Sequence, residues 1–389
     1  MNNFIFSYPT KVYFGKGCVK EYLASLLRGY GPTVMLAYGG GSLKKSGVYD
    51  QMISILAEAG KTVVEFGGIM PNPTYAKVQE GAKLVKEHHV DFILAVGGGS
   101  VIDCSKIVSA QAMTDSDIWE LENVKREYPT KFIPMGAVVT ASGTGSEMNN
   151  GAVITHEEKK IKGGMVGAHN DFAMLDPMYT MTVPFRQVIS GAFDTISHAM
   201  ETYFGKPQEN NLSDDISEAV MRSVIANIRV LLTDPENYNA RSELMWASAM
   251  AENGILKIGK VTDFQCHQME HQLGAYTDCN HGQGLAVLHP VLYRHIYKEG
   301  IPKFKTFAVN VWGIDPAGKT DKEVARLGVE ALADFIREMD LPTSFAEMGI
   351  PAGIDYKAVA DSCNLSVACC KKLSREELLE IFQECRSTT

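Results

Sequence analysis

The stretch "DFILAVGGGSVIDCSKIV", Asp91 to Val108, decides the fold class of this chain. A short apolar run, typical of a buried strand, leads into a glycine turn and then into residues with helical spacing. Comparable apolar runs recur at 33–38, 62–66, 131–139 and 172–177, with helical stretches between them. Because this alternation is typical of βα units, it predicts a buried, mostly parallel sheet in the first half of the chain.

The second half of the chain, from Phe185 onward, has a different pattern. Long amphipathic stretches at 213–232 and 240–259 carry apolar residues at helical spacing, and Pro184 lies at the join. A chain of 389 residues also exceeds the size at which one hydrophobic core usually stops growing. We therefore expect an α/β domain over residues 1–184 and an all-helical domain over residues 185–389, packed around a cleft.

The composition narrows the class of function. A net charge of -9, with no basic run of five or more residues, argues against nucleic acid or an anionic membrane as a partner. The N-terminus lacks the charged start and apolar core of a secretory signal, and no window approaches the roughly 18 apolar residues of a membrane helix. Eight scattered cysteines are typical of reduced thiols. The composition predicts a cytoplasmic protein that acts on small molecules.

Two small-residue loops that follow predicted strands are candidates for binding a dinucleotide. Gly97, Gly98, Gly99 and Ser100 lead into a helix whose first amides carry a partial positive charge, which suits a phosphate. The turn is not the G-x-G-x-x-G fingerprint, so a plain tight turn stays open as the alternative. The loop "TASGTGSEMNN" (140–150) follows the strand predicted at 131–139. Because parallel strands end at one edge of a sheet, we expect both loops on that rim.

A third glycine turn, Gly39 to Ser42, bears on the choice of nucleotide. No Asp or Glu ends the preceding strand to hold a ribose 2′-hydroxyl, whereas Ser42, Lys44 and Lys45 suit a 2′-phosphate. This favours NADP over NAD, with two solvated lysines at a helix start as the alternative. Lys162, in "EEKKIKGG", belongs either to a solvated turn or to a contact near the cofactor's ribose.

Five residues of the second half have the spacing of metal ligands. Asp194 and His198 lie four residues apart in a helical context, which puts both on one helix face, although a capping Asp and a core His would explain the pair alone. His267 and His271 repeat this spacing, and His281 follows ten residues later. Imidazole and carboxylate ligands suit Fe(II) or Zn(II) rather than Ca(II) or Mg(II). The pattern predicts a catalytic divalent ion.

Two other classes of enzyme stay open at this point. The segment "HQMEH" matches the H-x-x-E-H pattern of inverted zinc proteases, with Glu270 as the general base. A metal hydrolase of that kind would leave the glycine turns, Asp194 and His198 without a function. A lyase of the dehydroquinate synthase type would need a cluster of Lys and Arg for a polyanionic substrate, and the motifs carry few.

Several motifs together resemble the iron-containing (group III) alcohol dehydrogenases, and more narrowly their NADP-preferring butanol dehydrogenase and broad aldehyde reductase branch. The resemblance rests on "GGGSVIDCSK", "TASGTGSE", "LDPMYTMTVP", "DTISHAMETY" and "HQMEHQLGAYTDCNHGQGLAVLHP". It implies a Rossmann-like α/β N-terminal domain and an all-α C-terminal domain, a dehydroquinate synthase-like architecture, commonly in a homodimer. It also implies hydride transfer between NADP(H), with NAD(H) as the alternative, and a small primary alcohol or aldehyde such as butanol or butanal.

The resemblance also implies roles for individual residues. One divalent metal, Fe(II) or alternatively Zn(II), would be held by Asp194, His198, His267 and His281. His271 would lie beside it, and its helical spacing from His267 makes it our candidate for relaying a proton. Contacts with the cofactor are expected at Gly40, Gly41, Ser42, Asn72, Gly97, Gly98, Gly99, Ser100, Asp103, Thr140, Thr144, Lys162, Tyr179 and Thr182.

Overall fold

A computed structural model describes residues 1–364 and 368–387. The chain divides into two compact units, Ser7–Pro184 and Phe185–Thr389, and Met1–Phe6 groups with the second. The division falls at the predicted join, but the first six residues differ from the predicted boundaries. They lie on the helical unit because the backbone N–H of Asn2 donates to the carbonyl oxygen of Gly259 at 3.1 Å.

The strands of the Ser7–Pro184 unit are β1 (Lys11–Phe14), β2 (Thr33–Tyr38), β3 (Thr62–Phe66), β4 (Phe92–Gly97), β5 (Met135–Val139), β6 (Gly151–His156), β7 (Ile161–Val166) and β8 (Phe172–Leu175). Six of them form a parallel sheet with the order β1-β8-β5-β4-β2-β3. The two strands that are missing from this order, β6 and β7, form an antiparallel hairpin. The parallel sheet predicted from the apolar runs is confirmed, since β4, β5 and β8 are buried along their whole length.

Helices cover this sheet, and the glycine turns lie in the connections that follow β2 and β4. Leu23 and Met52 pack with Leu36 and Leu94 of the sheet in one hydrophobic cluster. The helices are α1 (Cys18–Leu27), α2 (Ser42–Lys45), α3 (Val48–Glu58), α4 (Tyr75–His88) and α5 (Gly99–Gln111). A π-helical turn (Glu120–Lys125) and two 3₁₀ turns (Ser146–Met148 and Pro177–Thr182) complete the unit.

Several details of the first unit differ from the sequence prediction. The strand predicted at 131–139 begins only at Met135, because Pro134 has no N–H to donate to a neighbouring strand. The hairpin of β6 and β7 was not predicted, because its charged turn and glycines do not form an apolar run. Lys162 lies within β7 and is 4% exposed, so the interpretation of this lysine as part of a solvated turn is wrong.

The second unit is helical over residues 185–364 and 368–387, and no strand is assigned in those ranges. This confirms the all-helical prediction. Phe193, Met221, Leu288 and Phe335 belong to one large hydrophobic core. The helices are α6 (Phe185–Tyr203), α7 (Leu212–Thr233), α8 (Tyr238–Glu252), α9 (Gln265–Thr277), α10 (His281–Ile296), α11 (Ile301–Asn310), α12 (Asp321–Glu338), α13 (Tyr356–Ser362) and α14 (Arg375–Glu384), with 3₁₀ turns at Ile255–Lys257 and Tyr297–Glu299.

The helices predicted at 213–232 and 240–259 correspond to α7 and α8. Helix α7 begins with a capping box, in which the side chain of Asn211 accepts from the N–H of Asp214. Helix α8 ends earlier than predicted, because Gly254 follows it with a positive φ of 89° and redirects the chain. Among the described residues, no helix combines the length and the apolar character that crossing a lipid bilayer requires.

Candidate functional site

Helix α6 places Asp194 and His198 on one buried face, as their spacing predicts. Asp194 is 3% exposed and His198 is 8% exposed. The Oδ1 of Asp194 lies 3.6 Å from Nδ1 of His198. The two side chains are therefore close enough to share one small ligand.

Helices α9 and α10 bring two more of the predicted ligands to Asp194. The Nε2 atom of His267 lies 3.6 Å from the Oδ1 of Asp194, and the Nε2 atom of His281 lies 3.4 Å from it. One ligand atom from each of these three residues lies within 4.8 Å of the others. His198 adjoins this group, since its ring stacks on that of His267 with the centroids 4.6 Å apart. All four predicted metal residues therefore meet in one place.

The unpaired polar atoms of this cluster fit a bound cation. Oδ1 of Asp194, Nδ1 of His198 and Nε2 of His267 are buried and have no hydrogen-bond partner among the described residues. Leaving such an atom unpaired costs about 1–3 kcal/mol, and natural structures rarely do so. A divalent cation accepts electron pairs from both carboxylate oxygen and imidazole nitrogen. The donor set is therefore one that suits Fe(II) or Zn(II).

The electrostatics of the cluster agree with this donor set. Burial lowers the pKa of His198, so its imidazole is neutral at neutral pH, which is the form that binds metals. Burial alone would raise the pKa of Asp194, but His198 and His281 outweigh it and hold the pKa well below its usual range. Burial alone would also lower the pKa of His267, but Glu201 and Asp194 raise it to about 10. A cation that binds His267 must therefore displace a proton.

His271 lies beside this cluster. It is 7% exposed, and its ring stacks on that of His281 with the centroids 5.5 Å apart. Ligand atoms of Glu270, His271 and His281 also lie within 4.8 Å of one another. In this second group Oε2 of Glu270 is already hydrogen bonded to Nδ1 of His281, so the group around Asp194 is the better candidate for an ion.

Two glutamates at the site, Glu201 and Glu270, were not predicted to support it. Oε2 of Glu201 is hydrogen bonded to Nδ1 of His267, and Oε2 of Glu270 is hydrogen bonded to Nδ1 of His281. Their spacing was only a partial signal, because Glu201 follows His198 by three residues on α6 and Glu270 follows His267 by three on α9. This spacing puts each glutamate near a ligand-bearing helix face but does not indicate the histidine of another helix that it binds. From the sequence, Glu270 was a candidate only for the general base of a hydrolase.

In the first unit, the glycine turn after β4 packs against the loop after β5. The N–H of Thr140 donates to the carbonyl oxygen of Gly97 at 3.0 Å. A Cβ at Gly99 would lie 2.3 Å from Oγ1 of Thr144, so only glycine fits there without a shift. Gly98 caps α5 in an extended conformation, with Ser100 in the first turn. The two loops lie together at the carboxyl ends of their strands, where we expected them.

Asp103 and Lys162, both predicted to contact the cofactor, are largely buried in this unit. The carboxylate of Asp103 accepts hydrogen bonds from Oγ of Ser146 and from the N–H of Val153, the latter at 2.8 Å. These bonds tie α5 to the following loop and to β6. Lys162 pairs with Thr155 across the hairpin. Asp103 therefore has a structural role whether or not it contacts a nucleotide.

The remaining predicted cofactor residues lie in turns. Asn72 has a positive φ of 50°, which non-glycine residues rarely adopt, in the connection between β3 and α4. Tyr179 is half-buried and Thr182 is exposed in the 3₁₀ turn Pro177–Thr182. Gly40, Gly41 and Ser42 are exposed where β2 leads into α2.

Glu65, the acidic residue near the turn Gly40–Ser42, is already hydrogen bonded to two tyrosines. Glu65, on β3, accepts hydrogen bonds from the hydroxyls of Tyr38 at 2.7 Å and Tyr49 at 2.8 Å. These two hydrogen bonds lower the pKa of Glu65. Nζ of Lys44 lies 4.5 Å from the centroid of the Tyr49 ring. The turn therefore presents small residues and a lysine, while its neighbouring carboxylate is held by two tyrosines.

Comparison with known families covers both units. Residues 9–177 match the model of the iron-containing alcohol dehydrogenases, and residues 188–385 match the C-terminal model of the Fe-containing alcohol dehydrogenase family. Together the two matches span most of the chain.

Individual relatives agree with this match. The chain is 37% identical to NADH-dependent butanol dehydrogenase A of Clostridium acetobutylicum, over 99% of this chain and 100% of the relative. It is also 37% identical to the NADPH-dependent aldehyde reductase YqhD of Escherichia coli, over 90% of each. Among solved structures, NADH-dependent butanol dehydrogenase A of Thermotoga maritima matches with a TM-score of 0.93 and 34% identity, over 100% of this chain and 99% of the other.

The fold, the site and these relatives define an oxidoreductase, of the class that contains alcohol dehydrogenases and aldehyde reductases. The chain belongs to the iron-containing alcohol dehydrogenase family. The hydrolase and lyase alternatives find no support in these comparisons.

Proposed function

We propose that this protein transfers a hydride between NADP(H) and a small primary alcohol or aldehyde, such as butanol or butanal, with the help of one divalent metal. The observation that carries the proposal is the convergence of ligand atoms from Asp194, His267 and His281, of which the first two are buried and the third half-buried. Oδ1 of Asp194 and Nε2 of His267 have no hydrogen-bond partner among the described residues. Residues 1–184 form the dinucleotide-binding domain in this proposal, and residues 185–389 the metal-binding domain.

Four residues would hold the metal: Asp194, His198, His267 and His281. Fe(II) is the proposed ion and Zn(II) the alternative, because carboxylate and imidazole ligands accept both. When bound, a divalent metal supplies Lewis-acid polarisation of an alcohol or carbonyl oxygen. Asp194 provides the negative charge of the ligand set, and its burial keeps bulk water away from that charge.

His271 is proposed to relay the proton that leaves the alcohol. In the oxidising direction the substrate loses a hydride to the nicotinamide and a proton from its hydroxyl, and the products are the aldehyde and the reduced cofactor. A ring nitrogen of His271 takes up that proton and passes it to water. Its support is its position beside His281, with the ring centroids 5.5 Å apart.

NADP(H) is proposed over NAD(H), because the turn after β2 lacks a carboxylate for the ribose 2′-hydroxyl. Gly40, Gly41 and Ser42 leave room for a 2′-phosphate, and Lys44 can pair with it. Glu65 is held by two tyrosines and does not compete. The named relatives include both NADH-dependent and NADPH-dependent enzymes, so the choice needs its own measurement.

The substrate and the assembly are proposed from the family. Small linear alcohols and aldehydes are favoured, since the relatives include butanol dehydrogenases and an aldehyde reductase. A cytoplasmic homodimer is the proposed working form, and light scattering of the purified protein measures its mass.

A kinetic panel tests the proposal. Purified, metal-loaded protein is mixed with NADPH or NADH and a series of linear aldehydes, and oxidation of the cofactor is followed at the nicotinamide absorbance band. We expect turnover with butanal and a higher kcat/KM for NADPH than for NADH. Absence of cofactor oxidation across the whole panel would overturn the proposed function. A higher kcat/KM for NADH would overturn only the cofactor preference.

A further inference from the structure

We propose that Glu201 and Glu270 are positioning residues that hold the imidazoles of His267 and His281 with Nε2 turned toward Asp194. The inference deepens the proposed function and rests on its metal site. Each glutamate binds the Nδ1 of one histidine. The Nε2 of each histidine faces Oδ1 of Asp194, at 3.6 Å for His267 and 3.4 Å for His281. A proton held at Nδ1 leaves Nε2 as the metal-binding atom.

Glu201 is fixed by more than its histidine. Its carboxylate also accepts from the backbone N–H groups of Cys266 at 2.6 Å and His267 at 3.0 Å. These amides lie at the start of α9, whose N-cap residue Phe264 provides no side-chain cap. The first amides of a helix have no partner within the helix, and a negative charge there is favourable. One carboxylate of α6 therefore caps α9 and orients the first histidine on it.

Glu270 is held in a space that a glycine leaves open. It is 0% exposed, and a Cβ at Gly284 on α10 would lie 2.8 Å from its Cγ. A second glycine of the same turn, Gly282, lies against Ser190 of α6, where a Cβ would be 2.3 Å from the carbonyl oxygen. The "HGQG" segment, which begins with His281, thus allows α10 to approach α6 and α9 closely. That approach brings Nδ1 of His281 to the carboxylate of Glu270.

Charge explains why carboxylates suit these two positions. A buried carboxylate without a partner costs several kcal/mol, and the N–H of its histidine is one of the donors that stabilise each glutamate. In return, a carboxylate that accepts from Nδ1–H makes the imidazole a stronger ligand through Nε2. Removal of such a partner in other metal sites lowers metal affinity about 10- to 100-fold. The two glutamates should therefore tighten the metal site without touching the ion.

The test compares Glu201→Gln and Glu270→Gln with a matched control, Glu218→Gln. Glu218 is a buried carboxylate of the same unit, 4% exposed, which accepts from the hydroxyl of Tyr203 at 2.9 Å and from Asn310. Among the described residues, no hydrogen bond or ion pair given for Glu218 involves one of the four proposed metal ligands. Zn(II) affinity is measured by competition with a chromophoric chelator, and folding is checked separately by thermal unfolding.

We expect a 10- to 100-fold loss of Zn(II) affinity in Glu201→Gln and in Glu270→Gln, and wild-type affinity in Glu218→Gln. Wild-type affinity in the first two variants would overturn the proposal. If Glu201→Gln does not fold, because Glu201 also caps α9, the Zn(II) affinity of Glu270→Gln decides whether the proposal holds. Wild-type protein that binds no Zn(II) or Fe(II) would instead overturn the proposed function, before any variant is made.

A spectroscopic measurement separates positioning from a general loss of packing. In Zn(II)-loaded protein labelled with ¹⁵N-histidine, NMR distinguishes a protonated Nδ1 from a protonated Nε2. We expect Nδ1–H signals for His267 and His281 in the wild type, and a shift of the His281 signal alone in Glu270→Gln. Coordination of the metal through Nδ1 of either histidine, or an unchanged His281 signal in that variant, would contradict the proposal.

Discussion

Oδ1 of Asp194 lies 3.6 Å from Nε2 of His267, and both atoms are buried without a hydrogen-bond partner among the described residues. The two residues belong to α6 and α9, which are separated by α7 and α8 in the sequence. Buried polar atoms without a hydrogen-bond partner are unfavourable, and a cation that bridges the carboxylate oxygen and the imidazole nitrogen would satisfy both. This relationship underlies the first prediction.

Replacement of His267 by Gln should empty the metal site. Loss of a residue that only supports a ligand lowers metal affinity roughly 10- to 100-fold. Because this variant removes a nitrogen ligand itself, its metal affinity should fall by at least that factor. Metal content after purification under anaerobic conditions measures this. His295→Gln is the control, because His295 lies on α10 of the same unit but its Nε2 pairs with Oε1 of Glu384 at 3.1 Å. Full metal content in His267→Gln would show that the ligand assignment is wrong.

Replacement of Gly40 by Asp should shift the cofactor preference toward NADH. A Cβ at Gly40 meets no atom within 4 Å, so the fold tolerates a side chain there. An aspartate at this turn would accept from a ribose 2′-hydroxyl and repel a 2′-phosphate. We expect the ratio of kcat/KM for NADPH to that for NADH to fall at least about tenfold, equivalent to roughly 1.4 kcal/mol. The control is Gly40→Asn, whose side chain has the shape of aspartate without its charge. An equal change of the kcat/KM ratio in Gly40→Asn would refute the electrostatic explanation.

Replacement of Gly99 by Ala should destabilise the first unit. The new Cβ would lie 2.3 Å from Oγ1 and 2.8 Å from Cβ of Thr144, and overpacking of this kind costs about 1–3 kcal/mol. Urea unfolding measures the loss. Thr144→Gly in the same chain removes the clashing atoms and should restore part of the stability. A double variant no more stable than Gly99→Ala would argue against this packing of the two loops.

The stability of the first unit should fall as the pH rises through about 7, because of Glu122. This residue is 2% exposed and accepts from the N–H of Val166 at 2.6 Å, and burial raises its pKa from 4.5 to about 7. A carboxyl whose pKa is raised on folding stabilises the fold fully below pH 4.5, and this contribution is lost as pH rises through 7. The contribution should be at most about 3 kcal/mol, because solvent screening reduces it.

Glu122→Gln checks this pH dependence, since it keeps the shape of the protonated acid and does not titrate. Urea unfolding between pH 5 and pH 8.5 should show a smaller fall in the variant than in the wild type. Glu120→Gln, which changes a partly exposed neighbour paired with Lys159, should behave like the wild type. Identical pH profiles for Glu122→Gln and wild type would refute the prediction.

Much of the fold follows from the sequence, because the central strands are buried on both faces. β2 has the predicted bounds, since a run of apolar residues buried on both faces is a strong signal. β3 also has the predicted bounds, although it lies at the sheet edge and is partly exposed. β1 was missed because "KVYF" is short and lies at the sheet edge, where no fully apolar run is needed. The hairpin of β6 and β7 was missed for a similar reason, since its turn is charged and β7 contains two glycines.

The part of the candidate site that could be predicted from the sequence is the part formed by residues of the same helix. Asp194 with His198, and His267 with His271, were visible because residues four apart share a helix face. That Glu201 pairs with His267 and Glu270 with His281 was not visible, because these bonds join different helices. The packing of α10 against α9, which Gly284 permits, has no local sequence signal beyond the glycine itself.

The most direct test of the central claim measures metal-dependent turnover. Wild-type protein is stripped with a chelator, and reduction of butanal by NADPH is recorded before and after Fe(II) or Zn(II) is restored under anaerobic conditions, in parallel with Asp194→Asn. The account predicts negligible activity in stripped protein, recovery in wild type on adding metal, and no recovery in Asp194→Asn. Full activity of stripped wild type, or wild-type recovery in Asp194→Asn, would contradict the claim that the buried Asp194 site carries the reaction.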